Sequence, residues 1–285
     1  MKLIIAILLA FISINISAQY SLSQELKFIQ HLINQEEYED AIYYINSHFD
    51  NEYSLPISDS LHYFKGWSQY SVKNLNLSAS SLLQVSSNST FFVKSRFFAA
   101  YNYSHLGQIK FSDYILQRLN TNRYLTNLKN FELTGNALLA RDTKKFKNYF
   151  KSIESSSDFS FNVEKEKLNS YDFEIDNHRN KSMFVGGLMS AIIPGAGKIY
   201  AGKTGEGIST FLIVAATGAT AYENHRKLGL KHAKTILFGS LFAVLYIGNI
   251  YGTVFTVKLA NEEFNHEMDN KILFNMHIPL RNLFN

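Results

Sequence analysis

Two hydrophobic rhythms divide the chain. From Tyr20 to about Ser157, apolar residues recur at i, i+3 and i+4, the period of a helix with one buried face. Leu26, Ile29, Leu32 and Ile33 mark one helix; Tyr38, Ala41, Ile42 and Ile45 mark the next, across the polar turn Asn34-Gln35-Glu36-Glu37. The arrangement then repeats. Gly66, Trp67 and Tyr70 lead into a turn at Lys73-Asn74, followed by Ala79, Leu82, Leu83 and Val85. Ala99, Ala100, Tyr101 and Tyr103 lead into Leu106-Gly107, followed by Phe111, Tyr114, Ile115 and Leu116. Gly135, Ala137 and Leu138 lead into Arg141-Asp142, followed by Phe146, Tyr149 and Phe150. Asn74, Gly107 and Arg141 lie 33 and 34 residues apart, and the small residues Gly66, Ala100 and Gly135 keep step. A helical hairpin recurring about every 34 residues predicts a solenoid whose units bury their faces on one another.

The second rhythm starts at Met183, after a polar stretch from Ser155 to Lys181 in which Glu164 to Tyr171 reads as a short helix. Three uncharged apolar segments follow: Met183 to Ile193, Ile208 to Tyr222 and Thr235 to Val257. The third is long enough to span a bilayer and the second is borderline; the first reads as a re-entrant or interfacial helix, or as part of a span. Small residues four apart, at Gly187 and Ala191, Gly239 and Ala243, and Gly248 and Gly252, predict close helix packing within the chain or between copies.

At the other end, Lys2, the apolar run Leu3 to Ile12 and the small residues from Ser13 to Ala18 read as a secretory signal peptide. The expected organisation is all-α: a signal peptide at 1–18, a hairpin domain at 19–157, a linker at 158–181, a membrane domain at 182–258 with two spans plus the short helix, and a polar tail at 259–285.

The hairpin region, over about residues 22–155, resembles the tetratricopeptide repeat family. The resemblance rests on the period, the small residues Gly66, Ala100 and Gly135, the aromatics Tyr70 and Tyr103, and the small residues Ala41 and Ala79. It departs at Ser112 and Phe146, and the usual proline after each second helix is missing. The family implies a concave surface that binds a peptide or protein and does no chemistry. Core and edge packing accounts for most aromatics of the region; Asn102, Tyr103 and His105 are the candidates for lining that groove.

Between the first two apolar segments, Gly197 to Thr204 fits the phosphate-loop pattern G-x-x-x-x-G-K-[ST]. Such a loop needs a preceding strand and a carboxylate partner for Mg²⁺; after Thr204 the only aspartate is Asp269, in a polar stretch. The same run also resembles small bacterial membrane domains of unknown activity built on Pro-Gly-x-Gly-x-x-Tyr-x-Gly-[Lys/Arg], here Pro194, Gly195, Gly197, Tyr200, Gly202 and Lys203. Lys198 stands where those domains carry Gln. On this reading Pro194 ends a helix, the three glycines adopt positive φ, and Tyr200 and Lys203 sit at the membrane–water boundary.

Composition narrows the picture. With 18% charged residues and a net charge of +4 spread along the chain, no basic stripe exists to neutralise nucleic-acid phosphates. The absence of cysteine removes disulfides, thiolate catalysis and Cys-ligated metals. His225 and His232 share a loop without a third ligand, and no nucleophile elbow or carboxylate pair is present, so neither metal nor other cofactor nor catalytic residue is expected. Arg226, Lys227, Lys231 and Lys234 against Glu223 place the loop 223–234 in the cytoplasm by the positive-inside rule. Together with the export signal, this expects the hairpins and the tail on the periplasmic side of a bacterial inner membrane. The expected function is an interaction scaffold or assembly factor that binds a protein or peptide. The alternatives are a channel or transporter subunit with polar Asn249, Thr217 and Thr220 facing a cavity and, remotely, a nucleotide-binding protein.

Overall fold

The computed structural model of the chain describes residues 22–49, 54–153 and 161–284. The expected signal peptide at 1–18 lies outside the described residues. Among those described, every regular element is a helix, thirteen in all. They fall into two compact units: residues 1–160 together with 276–285, and residues 161–275.

The first unit contains α1 (Leu22–Asn34), α2 (Tyr38–His48), α3 (Leu55–Ser71), α4 (Leu75–Leu83), α5 (Phe92–His105), α6 (Ile109–Arg118), α7 (Arg123–Leu139) and α8 (Thr143–Ser152). They pair as four hairpins, each packed on the next along the chain. One turn geometry closes all four. Glu36, Lys73, Gly107 and Arg141 take left-handed φ values of 62°, 65°, 73° and 56°. The following amide donates to the carbonyl five residues back in each: Glu37 to Leu32, Asn74 to Gln69, Gln108 to Tyr103 and Asp142 to Ala137. This is the Schellman closure, which satisfies carbonyls that a helix end leaves open. Asp142 also caps α8 by accepting from the Lys145 amide, and Asn122 caps α7 from the Leu125 amide.

Phe97, Phe98, Phe131, Phe146, Leu82, Leu116 and Leu128 fill the interior of this unit. Polar side chains set the spacing between hairpins. Asn102 Nδ2 donates to Ser78 Oγ at 2.9 Å, and 34 residues further on Asn136 Nδ2 donates to Ser112 Oγ at 2.8 Å. Gly66 has a packing role: a Cβ there would lie 2.7 Å from the Leu82 side chain of the paired helix.

The second unit holds α9 (Asn162–Asn177), α10 (Met183–Ile192), α11 (Ala196–Tyr200), α12 (Thr204–Leu228) and most of α13 (Ala233–Phe284). Two expectations are corrected here. The expected linker is largely the sixteen-residue helix α9, and the expected polar tail continues α13 as helix to Phe284. The charges that suggested loops pair with one another: Lys271 Nζ lies 2.8 Å from Glu267 and 3.8 Å from Glu174, and His178 stacks on Phe264. Asn275 Nδ2 reaches the Glu164 carbonyl at 2.7 Å, while Leu168, Met268 and Ile272 are buried. The expected second apolar segment lies inside a longer helix, α12, of 25 residues. Among the described residues α13 alone is long and apolar enough to cross a membrane, judged by length and composition.

Candidate functional site

Each residue of the glycine turn has a definable job in the second unit. Pro194 follows α10, where a residue without an N–H cannot prolong the helix. Gly195 has φ 82°, and a Cβ there would fall 2.0 Å from the Gly207 carbonyl oxygen. Gly202, with φ 93°, closes α11 by the geometry of the hairpin turns, the Lys203 amide donating to the Lys198 carbonyl. Gly197 departs from expectation. Its backbone is helical rather than left-handed, and it is required because a Cβ would lie 2.0 Å from the Gly186 carbonyl oxygen.

The polar members of the motif tie the turn to its neighbours. Tyr200 Oη accepts from the Ser182 amide at 3.0 Å, Lys203 Nζ pairs with Glu263 at 3.0 Å, and Lys198 Nζ donates to Thr210 at 3.1 Å. Beneath the turn, Asn249 of α13 accepts from the Gly195 amide and donates to the Ser190 carbonyl, both at 3.0 Å. Ser190 Oγ in turn meets Thr253 Oγ1 at 2.8 Å and accepts from the Gly197 amide at 3.0 Å. Helix α10, not a strand, precedes the glycines, and the Lys203 ammonium is engaged by a carboxylate. That is the geometry of a helix junction and differs from the strand–loop–helix of a phosphate cradle.

The small-residue positions sort differently from expectation. Gly187 does face α13, where a Cβ would lie 3.2 Å from Val254, but Gly186, Gly195, Gly197, Gly207 and Gly218 are more tightly approached, each within 3.0 Å. Gly239, Gly248 and Gly252 have nothing within 4 Å of an added Cβ, and Ala243 is exposed. Ala191 contributes its carbonyl, which accepts from the Tyr246 hydroxyl. Spacing in sequence does not reveal which side of a helix meets a neighbour.

In this unit polar side chains share the interior with Val214 and Val257, and many large apolar side chains lie outside. Ser190, Asn249 and Thr253 are buried, whereas Phe184, Ile192, Leu212, Leu237, Val244 and Phe255 are more than half exposed.

In the first unit the candidate groove residues do not form one surface. Asn102 is fully buried between hairpins, where its amide holds Ser78. Tyr103 packs near Phe111, and His105 is exposed at the end of α5, 6.2 Å from the Tyr101 ring. The residues that do gather on one face come from the first helix of three successive hairpins, and the end of the chain lies against them. His277 bonds the Tyr70 hydroxyl of α3 and stacks on Tyr101 of α5 at 5.1 Å. Phe284 approaches Phe97 and Phe98 of α5 at 5.6 and 6.3 Å. Met276 sits where a Cβ on Gly135 of α7 would be, 2.4 Å from the sulfur. Met276 and Leu280 are completely buried. A signal for this face was present in sequence: Met268, Ile272, Met276, Leu280 and Phe284 recur every fourth residue among charges.

The face is electrostatically unusual. Glu132 of α7 is buried with Oε1 unpartnered, and desolvation holds its carboxyl well above the usual range. Its charge also disfavours ionisation of Tyr70, pushed up to about 12 chiefly by burial, and of Tyr101. His277 is lowered to about 4, first by burial and then by Arg281, Lys73 and His105. The two groups act in opposite directions on stability. Glu132 keeps its proton in the fold and loses it on unfolding, so its contribution falls as pH rises above the unfolded value near 4.5. His277 is neutral in the fold and protonates on unfolding, so its contribution is lost as pH falls from 6.5 towards 4. Above pH 7 only Glu132 remains in play. Glu132→Gln, which has no carboxyl to keep protonated in the fold, is therefore expected to raise the thermal midpoint at pH 8, by the equivalent of about 1–3 kcal/mol. The gain should shrink towards pH 4.5. Melting curves across that range check it, and a pH-independent difference would refute the assignment.

The chain matches no protein-family model, no curated protein and no solved structure.

Proposed function

We propose that this chain is a membrane-anchored interaction scaffold or assembly factor of a bacterial cell envelope. Its tetratricopeptide-like hairpins take a protein partner, and its glycine-rich helical unit holds them at the inner membrane. One observation carries the interaction reading: the first helices of three successive hairpins already hold an amphipathic helical segment, Met276–Phe284, on a common face. Helix-in-groove recognition uses this arrangement of anchors. Anchoring is supported by the apolar exterior of the second unit and by α13. The channel alternative expects Asn249, Thr217 and Thr220 to line a cavity. Asn249 instead bonds α10 and the turn, and the two threonine hydroxyls bond carbonyls of their own helix.

The proposed topology has the hairpins and the end of α13 in the periplasm and the loop 223–234 in the cytoplasm. A chain without cysteine allows single-site labelling in intact cells. Ser87→Cys is exposed beyond α4, and Leu230→Cys avoids the strained φ of 81° at Gly229. A membrane-impermeant maleimide should label position 87 and spare position 230 until the cells are lysed. Labelling of position 230 in intact cells, or recovery of the chain in the soluble fraction, would sink the anchoring scheme.

A further inference from the structure

We infer that Met276–Phe284 is a displaceable ligand in cis, occupying the common face of the first helices α3, α5 and α7 until an amphipathic helix of a partner protein takes its place. The partner's chemistry is defined by what sits there now. Buried aliphatic side chains stand four residues apart at Met276 and Leu280, a ring follows at Phe284, and a hydrogen-bonding side chain meets Tyr70.

Three features make the segment a replaceable occupant. It lies outside the four hairpins, each of which is closed by its own turn, so it can leave without breaking into one. Its hold is partial: Met276, Pro279 and Leu280 are buried, but Arg281 and Asn282 are exposed and His277 and Phe284 are only partly covered. The fit is also incomplete. Glu132 lies on α7 one turn before Gly135, which meets Met276; it is buried, yet its Oε1 has no partner. A competing helix bearing a side-chain donor at that point would satisfy a group that the resident segment leaves orphaned. The tethered segment competes at a high effective concentration, so it masks the face against weak ligands and yields to strong ones.

This inference rests on reading the hairpins as a partner-binding module, and it is tested separately from anchoring. The full chain is purified in detergent, and a fluorescent peptide of residues 270–285 is titrated against the wild type and against Leu280→Asp. The variant, with its own segment weakened, is expected to bind the peptide about 10-fold or more tightly than the wild type. A peptide carrying Leu280→Asp should bind neither. Equal affinity for both proteins, or no binding to either, overturns the inference while leaving the membrane labelling result untouched. A second readout needs no variant. Hydrogen exchange of 276–284 in the wild type should run faster than that of α5 and α7; exchange only through global unfolding makes the segment part of the permanent core and overturns the inference.

Discussion

Gly197→Ala is expected to collapse the second unit. A single methyl group at this position would lie 2.0 Å from the Gly186 carbonyl oxygen and 2.4 Å from Thr253 Cγ2. The first obstacle is backbone, so no rotamer change relieves it. α10 and α11 would have to separate, losing the bonds of the Gly197 amide to Ser190 and of the Gly195 amide to Asn249. Overpacking of this kind costs about 3 kcal/mol or more when the neighbours cannot yield, and buried amides left without partners add to the loss. Thermal unfolding in detergent reads the effect directly. Gly248→Ala and Gly252→Ala provide the contrast. Both positions are in α13 with open space around them, and alanine is the better helix former by about 0.5–1 kcal/mol. They should leave the unit as stable or stabilise it slightly. A Gly197→Ala protein that melts with the wild type would show that the helices do not approach as described. A change of oligomeric state in Gly248→Ala or Gly252→Ala would place those glycines against a second copy.

Phe98→Ala should be the most damaging truncation in the hairpin unit. The ring is completely buried and makes edge contacts with Trp67 at 5.0 Å and Tyr70 at 5.1 Å, besides facing Phe284. It thereby joins two hairpins to each other and both to the end of the chain. Removing a fully buried phenylalanine costs about 3–5 kcal/mol, the upper part of that range applying where the surroundings cannot close the cavity. In a unit of this size a loss of that order lowers the thermal midpoint by on the order of 10 °C. Phe111→Ala is the control, since its ring is 61% exposed on α6; surface truncations of this kind stay within about 0.5 kcal/mol. If the two variants melt together, Phe98 does not sit at the junction.

Much of the hairpin unit was legible because its information is local. The four turns fall at Glu36, Lys73, Gly107 and Arg141, inside the polar interruptions that the helical period exposes, since a Schellman closure is written by a few adjacent residues. The role of Gly195 and Gly202 was legible for the same reason: positive φ in a short turn is a property of the turn. Failures came wherever a residue's meaning depends on what lies across from it. Asn102 resembled a groove residue and is a spacer between hairpins; Gly197 resembled a turn residue and is a contact; Glu267 and Lys271 resembled a solvated tail and are part of a helix paired with α9.

The division has a physical basis. Sequence alone determined the helical class, the hairpin period, the apolar length of α13 and the exclusion of cysteine chemistry, because periodicity, hydropathy and residue type need no partner. Tertiary structure decided which glycines are indispensable, where Asn249 sends its two hydrogen bonds, and that one face of the hairpins is covered by Met276–Phe284. Those outcomes hinge on distances of a few ångströms between residues far apart in sequence, such as Gly135 and Met276, and no local pattern encodes such a distance.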